Sequence, residues 1–282
     1  MSLIEAAVQK AKKLADTQTP RTPAPERTPT QAPAKRRVLE PDSATVAARA
    51  AMARPVPVAP ADPQVMERSN VLPQVSDAAA QRAYRILRTR VQQRMQAMGW
   101  TSVAVTAAGA GEGKTLTCIN LAIALARDVN TWVYLVDLDL QRPKIASYLG
   151  MQFSKGLSEY LSGQAQFDEI LYSPGEERLA VIPNAHAYDY SSDVLGSPRV
   201  RELCQSLAAE NPRPIVIYDM PPLLLSDDVI KFSPNFDCTL LVVSEGVTSR
   251  ASLKRAQEAL HEMNLLGVVL NRSAEREDSH YY

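Results

Sequence analysis

The stretch that decides the fold is Thr106-Ala-Ala-Gly-Ala-Gly-Glu-Gly-Lys-Thr115. It follows an apolar run, residues 103–106, that predicts a buried strand, and it precedes residues 114–127, whose apolar spacing predicts a helix. A glycine-rich turn that joins a strand to a helix and ends in Gly-Lys-Thr is typical of a phosphate-binding loop, because its backbone N–H groups point at anionic oxygens. The helix N-terminus adds its partial positive charge.

The residues of this loop are the first candidates for a nucleotide site. Lys114 is expected to reach the β- and γ-phosphates, and the Thr115 hydroxyl to ligate magnesium. Ala108 replaces the first glycine of the usual pattern, a mild change because three glycines remain. The alternative is a turn with a chance Gly-Lys-Thr, which the flanking strand and helix disfavour. The predicted nucleotide-binding residues are Ala108, Gly109, Ala110, Gly111, Glu112, Gly113, Lys114 and Thr115.

Two other apolar strands end in carboxylates. Residues 131–136 lead into Asp137 and Asp139, and residues 214–218 lead into Asp219, which two prolines follow closely. In an open parallel sheet, ligands bind beyond the carboxyl ends of the strands, so these acids are expected to face the phosphate-binding loop. Asp219 has the form of a Walker B acid, which holds magnesium from outside the ion's own ligands or through a bound water. The alternative for Asp137 and Asp139 is a solvated pair at a strand end.

Strands alternate with helices from residue 76 to residue 271. Such alternation predicts an α/β fold with a mainly parallel central sheet. With the phosphate-binding loop after its first strand, the expected fold is a P-loop NTPase three-layer sandwich. Helix-start signals stand at Asp77 and at Ser197-Pro198, and the stretch 226–228 is read as a possible cap of the next helix.

Four segments are predicted along the chain. Residues 1–16 form an amphipathic helix that either docks on a partner or membrane surface or frays in solution. Residues 17–75 form a disordered, Pro-rich linker, because eleven of the 20 prolines lie between Pro20 and Pro73. Residues 76–271 form the P-loop domain. Residues 272–282 form a flexible tail that ends in Tyr281 and Tyr282.

Composition excludes several classes of function. The 31 basic and 31 acidic residues balance, so nothing indicates a nucleic-acid partner. The three cysteines and three histidines lack metal-ligand spacing. No run of 18 apolar residues and no signal-peptide core occurs, so the sequence predicts neither a membrane span nor secretion.

Taken together, the Gly-Glu-Gly-Lys-Thr loop, the Asp137-Leu-Asp139 pair, Asp219 and the tyrosine tail resemble the bacterial tyrosine kinases (BY-kinases), over roughly residues 76–282. More narrowly, they resemble the autokinases of exopolysaccharide synthesis and export, a group within the ParA/MinD-like P-loop proteins. The resemblance implies ATP and Mg²⁺ as cofactors. It implies Lys114, Asp137 and Asp139 as catalytic residues, with one of the two acids acting on the incoming hydroxyl. It also implies Thr115, Asp137 and Asp219 as magnesium residues.

The resemblance further implies Tyr281 and Tyr282 as phosphoacceptors. The implied partners are an integral membrane polysaccharide co-polymerase or export protein, as activator, and a second copy of the chain. The implied location is the cytoplasm, peripheral at the inner face of the membrane. The second candidate function is a ParA/MinD-like ATPase switch that regulates a membrane partner without phosphorylating tyrosine.

Three positions depart from the family pattern. Gln141 stands where the second motif has its first arginine, and Arg82 stands where the assembly helix has a glutamate. The tail carries two adjacent tyrosines, Tyr281 and Tyr282, in place of a larger cluster.

Overall fold

A computed structural model describes residues 56–188, 191–210 and 214–273. Within these ranges the chain forms one sheet of six strands, all paired in parallel, in the order β3-β2-β4-β1-β5-β6. The predicted α/β fold is confirmed. The strands are β1 (Ser102–Ala107), β2 (Val133–Asp137), β3 (Leu179–Ile182), β4 (Ile215–Asp219), β5 (Cys238–Ser244) and β6 (Leu265–Asn271).

The helices of the described ranges connect these strands. They are α1 (Pro63–Arg68), α2 (Ala78–Met98), α3 (Lys114–Ala126), α4 (Ile145–Leu149), α5 (Leu157–Leu161), α6 (Ser191–Leu195), α7 (Pro198–Ala209), α8 (Asp228–Phe232) and α9 (Arg250–Ala259). Short 3₁₀ turns lie at Phe167–Glu169 and Ser233–Asn235. No helix within the described ranges has the length and apolar character needed to cross a bilayer.

Apolar cores cover both faces of the sheet. Along β1, Val103 and Val105 pack with α2 and α3, whereas Ala104 belongs to the opposite core, built with α5, α7 and α9. This division follows from the period of two in a strand, which sends successive side chains to opposite faces. All five residues of β2 are buried, as expected for a strand covered on both sides.

The helix starts read from the sequence are present. The Asp77 side chain accepts a hydrogen bond from the backbone N–H of Ala79, and the Ser197 hydroxyl accepts one from Val200. The hydroxyl of Ser226 accepts from the backbone N–H of Asp228 at the start of α8. Asp227 occupies the cap position of α8 without a side-chain capping hydrogen bond, so the contact from Ser226, one residue earlier, orders the start of this helix.

The predicted linker is wrong at its C-terminal end, because residues 56–75 belong to the folded unit. Met66 and Leu72 are buried in the α2 and α3 core. The backbone N–H of Leu72 donates to Asn120 Oδ1 at 2.8 Å, and that of Ala59 donates to the Ser173 carbonyl at 3.0 Å. The linker prediction extended to residue 75 because the proline content was averaged over the whole stretch from residue 17. The local signal, a cap at Asp62 before a first-turn proline, was present in the sequence.

Three predicted features lie outside the described residues. These are the amphipathic helix at residues 2–16, the linker up to residue 55, and the tail from residue 274 onward with Tyr281 and Tyr282.

Candidate nucleotide site

The phosphate-binding loop joins β1 to α3 in the predicted arrangement. Gly111 and Gly113 have φ angles of 77° and 91°, in the left-handed region that favours glycine, and Gly113 caps α3. Ala108 is fully buried in the core, which explains why a side chain is tolerated there. Ala110 and Gly111 are exposed, so the loop opens to solvent on one side.

Lys114 lies against the predicted acids. Its ammonium Nζ is 2.7 Å from Asp139 Oδ2 and 3.2 Å from Asp219 Oδ1. The Thr115 hydroxyl donates to the other oxygen of Asp219 at 2.7 Å. The tertiary structure thus brings one lysine, one hydroxyl and two carboxylates together from three separate stretches of sequence.

Asp137 completes this group from the neighbouring strand. It pairs in register with Asp219 at the ends of β2 and β4, and both side chains are fully buried. Asp137 Oδ2 accepts hydrogen bonds from the backbone N–H groups of Lys144 and Ile145, each at 2.9 Å. The other oxygen, Oδ1, is buried without a hydrogen-bond partner.

The charges of this cluster depend on one another. Burial raises the pKa of Asp137, and the nearby Asp219 carboxylate raises it further. Burial also raises the pKa of Asp219, although Lys114 and the Thr115 hydroxyl oppose that shift. Burial by itself would lower the pKa of Lys114, but Asp219 and Asp139 outweigh it and raise the pKa above the usual lysine value. Lys114 therefore stays charged, and it is the single cation of a cluster that contains three carboxyl groups.

This donor set fits a divalent cation that arrives with a phosphate. Asp137 Oδ1 is a buried oxygen with no partner, and three carboxylates share one ammonium. In the part of the chain described, no group of three or more His, Cys, Asp or Glu side chains is arranged to hold a metal ion by itself. Magnesium usually takes one or two carboxylates and completes its shell with phosphate oxygens and water. The residues that could hold it are Thr115, Asp137 and Asp219.

Sequence reasoning included Glu112 in the phosphate-binding loop but missed Thr248 and Asn271, which hold Glu112 from the β5 and β6 side. Glu112 is buried, and its Oε1 accepts a hydrogen bond from the Thr248 hydroxyl at 2.7 Å. Thr248 in turn accepts from the backbone N–H of Ser244 at 2.8 Å. The side-chain amide of Asn271 donates to the Glu112 carbonyl at 2.9 Å. Thr248 follows the carboxyl end of β5, and Asn271 is the last residue of β6. The rule that ligands bind at the carboxyl ends of parallel strands would have indicated both residues.

Gln141, one of the departures from the family pattern, has a structural role. Its side-chain amide donates to the hydroxyls of Ser191 at 3.0 Å and Ser226 at 3.4 Å. It thereby links the loop after β2 to α6 and to the start of α8. Asp228 lies beside this link, and burial raises its pKa, although the Ser191 and Ser226 hydroxyls oppose the shift.

Comparison with known proteins identifies the family. The model of the CobQ/CobB/MinD/ParA nucleotide binding domain matches residues 103–281. The chain belongs to this family. Nucleotide binding is thus a family property of this domain, and the matched range begins in β1, immediately before the phosphate-binding loop.

The resemblance to bacterial tyrosine kinases is also confirmed. The domain is 28% identical over 200 residues to tyrosine-protein kinase YwqD of Bacillus subtilis. The aligned region covers 70% of this chain and 83% of YwqD. It is also 26% identical to tyrosine-protein kinase Etk of Escherichia coli over 208 residues. This aligned region covers 73% of this chain and 28% of Etk. The solved kinase domain of E. coli ETK has a TM-score of 0.63 at 26% identity, over 70% of this chain and 77% of that one.

Proposed function

We propose that this nucleotide-binding domain is an ATP-dependent protein-tyrosine autokinase. One observation carries the proposal: Lys114 bridges Asp139 and Asp219 beside a phosphate-binding loop, in a chain similar to proteins named tyrosine-protein kinases. Phosphoryl transfer needs positioning and charge stabilisation more than covalent chemistry by the protein. A lysine held between acids next to the loop supplies both.

ATP and Mg²⁺ are the proposed cofactors. The loop N–H groups from Ala108 to Gly113 and the Lys114 ammonium would hold the phosphates of the nucleotide. Thr115, Asp137 and Asp219 would hold the ion, and the buried Oδ1 of Asp137, which has no hydrogen-bond partner, suits Asp137 to this role. When bound, the ion neutralises the charge that develops on the transferred group.

Asp139 is the proposed partner of the incoming tyrosine hydroxyl. It keeps slight exposure, whereas Asp137 and Asp219 have none, and its Oδ1 already accepts from the backbone N–H of Arg142 at 3.1 Å. The departure of Lys114 toward phosphate would leave Asp139 Oδ2 free to accept the phenol proton. A phenol with a pKa of about 10 is a poor nucleophile until it is oriented or deprotonated, so a carboxylate beside it serves the reaction.

The proposed substrates are the chain's own Tyr281 and Tyr282, reached in a second copy or in the same molecule. The proposed role, carried over from the exopolysaccharide autokinases that the sequence resembles, is regulation of polysaccharide synthesis or export. An integral membrane co-polymerase or export protein would act as activator and hold the kinase at the inner face of the membrane.

The test is incubation of the purified full chain with magnesium and ATP, followed by phosphotyrosine detection and mass spectrometry. Phosphate is expected on Tyr281 or Tyr282, and Lys114→Ala is expected to abolish it while the circular dichroism spectrum is unchanged. The double variant Tyr281→Phe/Tyr282→Phe is the matched control for the acceptor. ATP hydrolysis without phosphotyrosine would instead favour the ATPase switch, and wild-type transfer by Lys114→Ala would show that the site is assigned wrongly.

A further inference from the structure

The exposed face of α2 carries an unusual charge distribution. Its 21 residues include five arginines and no acid. Of these, Arg82, Arg85, Arg90 and Arg94 are exposed and Arg88 is half-buried. A helix surface normally mixes charges of both signs, because like charges three or four residues apart repel. We call the part of this surface formed by Arg82, Arg85 and Thr89 the arginine face.

The acids that contact α2 do not neutralise the arginine face. Among the described residues, the Asp77 side chain accepts from the backbone of Ala79, and Asp128 accepts from the Gln92 side chain. No ion pair between Arg82 or Arg85 and an acid occurs in the part of the chain described. An open depression of about 420 Å³ lies along the helix here, lined by arginine side chains. A concave surface with unneutralised guanidinium groups is suited to an anion that carries several acceptor oxygens.

The arginine face lies at the same end of the sheet as the start of the tail. Only residues 99–101 separate α2 from β1, so the C-terminal end of α2 is at the amino edge of the sheet. Arg94 Nη2 donates to the carbonyl of Leu265, the first residue of β6. From Arg94 back to Arg82 the helix rises about 18 Å. From Leu265 to Asn271 the strand rises about 20 Å in the same direction. Measured along the strand direction from the amino edge of the sheet, Arg82 therefore lies at about the level where β6 ends and the tail begins.

The tail has the complementary charge. Residues 274–282 contain Glu275, Glu277 and Asp278 against a single arginine, and they end in Tyr281-Tyr282. Each phosphotyrosine adds about −1.5 to −2 charge and three acceptor oxygens. Nine extended residues span up to about 30 Å, enough to bring the tyrosines onto the first turns of α2.

From these observations we infer that the arginine face of α2 is the docking site for the phosphorylated tail, of the same molecule or of a second copy. The inference rests on the proposed function for the origin of the phosphate and for the place of the tail at the nucleotide site before transfer. At the nucleotide site Lys114 is already paired with Asp139 and Asp219, whereas in the described part of the chain Arg82 and Arg85 have no acid paired with them. Phosphorylation thus transfers the tail from the nucleotide site to α2, which gives the reaction a defined end state.

The test measures binding of a synthetic peptide, residues 274–282 with both tyrosines phosphorylated, to the full chain by fluorescence anisotropy. The chain is first treated with phosphatase, repurified, and kept free of nucleotide. The phosphopeptide is expected to bind at least about tenfold more tightly than the same peptide without phosphate, with affinity falling as salt rises. Because the peptide is phosphorylated by synthesis, the result does not depend on whether the chain is a kinase.

Two matched double variants assign the surface. Arg82→Gln/Arg85→Gln is expected to weaken phosphopeptide binding by about tenfold or more. Arg250→Gln/Arg255→Gln removes the same charge from the exposed surface of α9, outside this depression, and is expected to change affinity less than about threefold. Equal effects of the two variants, or equal binding of the two peptides, would overturn the docking site. The docking site would also be overturned if Arg82→Gln/Arg85→Gln weakened binding to phosphatidylserine vesicles but not to the phosphopeptide. The arginine face would then be a membrane contact.

Discussion

At the scale of single residues, Asp137 and Asp139 are two residues apart in sequence but differ in what holds them. Asp137 is fully buried and uses one oxygen to cap the start of α4, through Lys144 and Ile145. Asp139 forms the 2.7 Å ion pair with Lys114. The sequence left open which of them acts on the hydroxyl. The geometry supports a division in which Asp137 serves the metal and Asp139 the nucleophile.

This division predicts different kinetic defects. Asp139→Asn removes the group that accepts the phenol proton, so the transfer rate at saturating ATP and magnesium is expected to fall by about 100- to 10,000-fold. Asp137→Asn is expected to raise the magnesium concentration needed for half-maximal rate, because a charged oxygen facing the ion is lost. Single-turnover rates measured across a magnesium titration separate the two effects. Wild-type transfer by Asp139→Asn would remove that residue from the mechanism.

A second residue-scale prediction concerns the brace between Glu112 and Thr248. Thr248→Val keeps the side-chain volume but deletes the hydroxyl that joins Glu112 Oε1 to the backbone of Ser244. Hydrogen bonds to charged groups contribute roughly 1.5 to 3 kcal/mol, so we expect nucleotide affinity to fall by about tenfold. Thr248→Ser, which retains the hydroxyl, should bind nucleotide nearly as wild type. Calorimetric titration gives both affinities, and equal losses in the two variants would mean that Thr248 acts through packing alone.

At the scale of elements, the segment 56–75 changes where the domain begins. Asn120 in α3 holds it at two points, since its side chain accepts from the Leu72 N–H and donates to the Asn70 carbonyl. Buried apolar side chains of the segment extend the core that packs on α3, the helix that the phosphate-binding loop opens. The segment therefore contributes to the stability of the element that carries Lys114 and Thr115.

The corresponding prediction is a stability change far from the site. Leu72 is 4% exposed, so Leu72→Ala is expected to lower the free energy of unfolding by about 2 to 5 kcal/mol. Leu225→Ala, at a position that is 64% exposed, is the control and should change it by less than about 0.5 kcal/mol. Urea unfolding followed by circular dichroism measures both. Equal stability of the Leu72 variant and wild type would restore the linker assignment for this segment.

At the scale of the whole molecule, a balanced net charge conceals uneven placement. The 31 positive and 31 negative charges cancel overall, yet α2 has five arginines and no acid, and the nucleotide site has three buried carboxylates around one lysine. Net charge describes solubility and general association, whereas these local concentrations decide which ligands each surface accepts.

The whole-molecule prediction concerns recruitment to the membrane. If residues 2–16 contact an integral partner, deletion of residues 1–20 should move the protein from the membrane fraction to the supernatant in its own cell. Autophosphorylation of the purified deletion variant should be unchanged, since the domain with its site is intact. Deletion of residues 21–40 is the length-matched control and should leave the fractionation as it is. Membrane association that survives loss of residues 1–20 would assign the contact to another part of the chain.

The sequence by itself determined the sheet, the phosphate-binding loop and the three acids, because local patterns encode them. An apolar strand, a glycine that needs positive φ, and a carboxylate at a strand end are each recognisable within about ten residues, and parallel packing places all strand ends at one edge. Only the tertiary structure decided the pairing of Lys114 with Asp139 and Asp219, the brace from Thr248 to Glu112, and the inclusion of residues 56–75. Glu112 and Thr248 are 136 residues apart, and Leu72 and Asn120 are 48 apart. Such contacts form because the folded sheet brings these elements together, and no local periodicity records them.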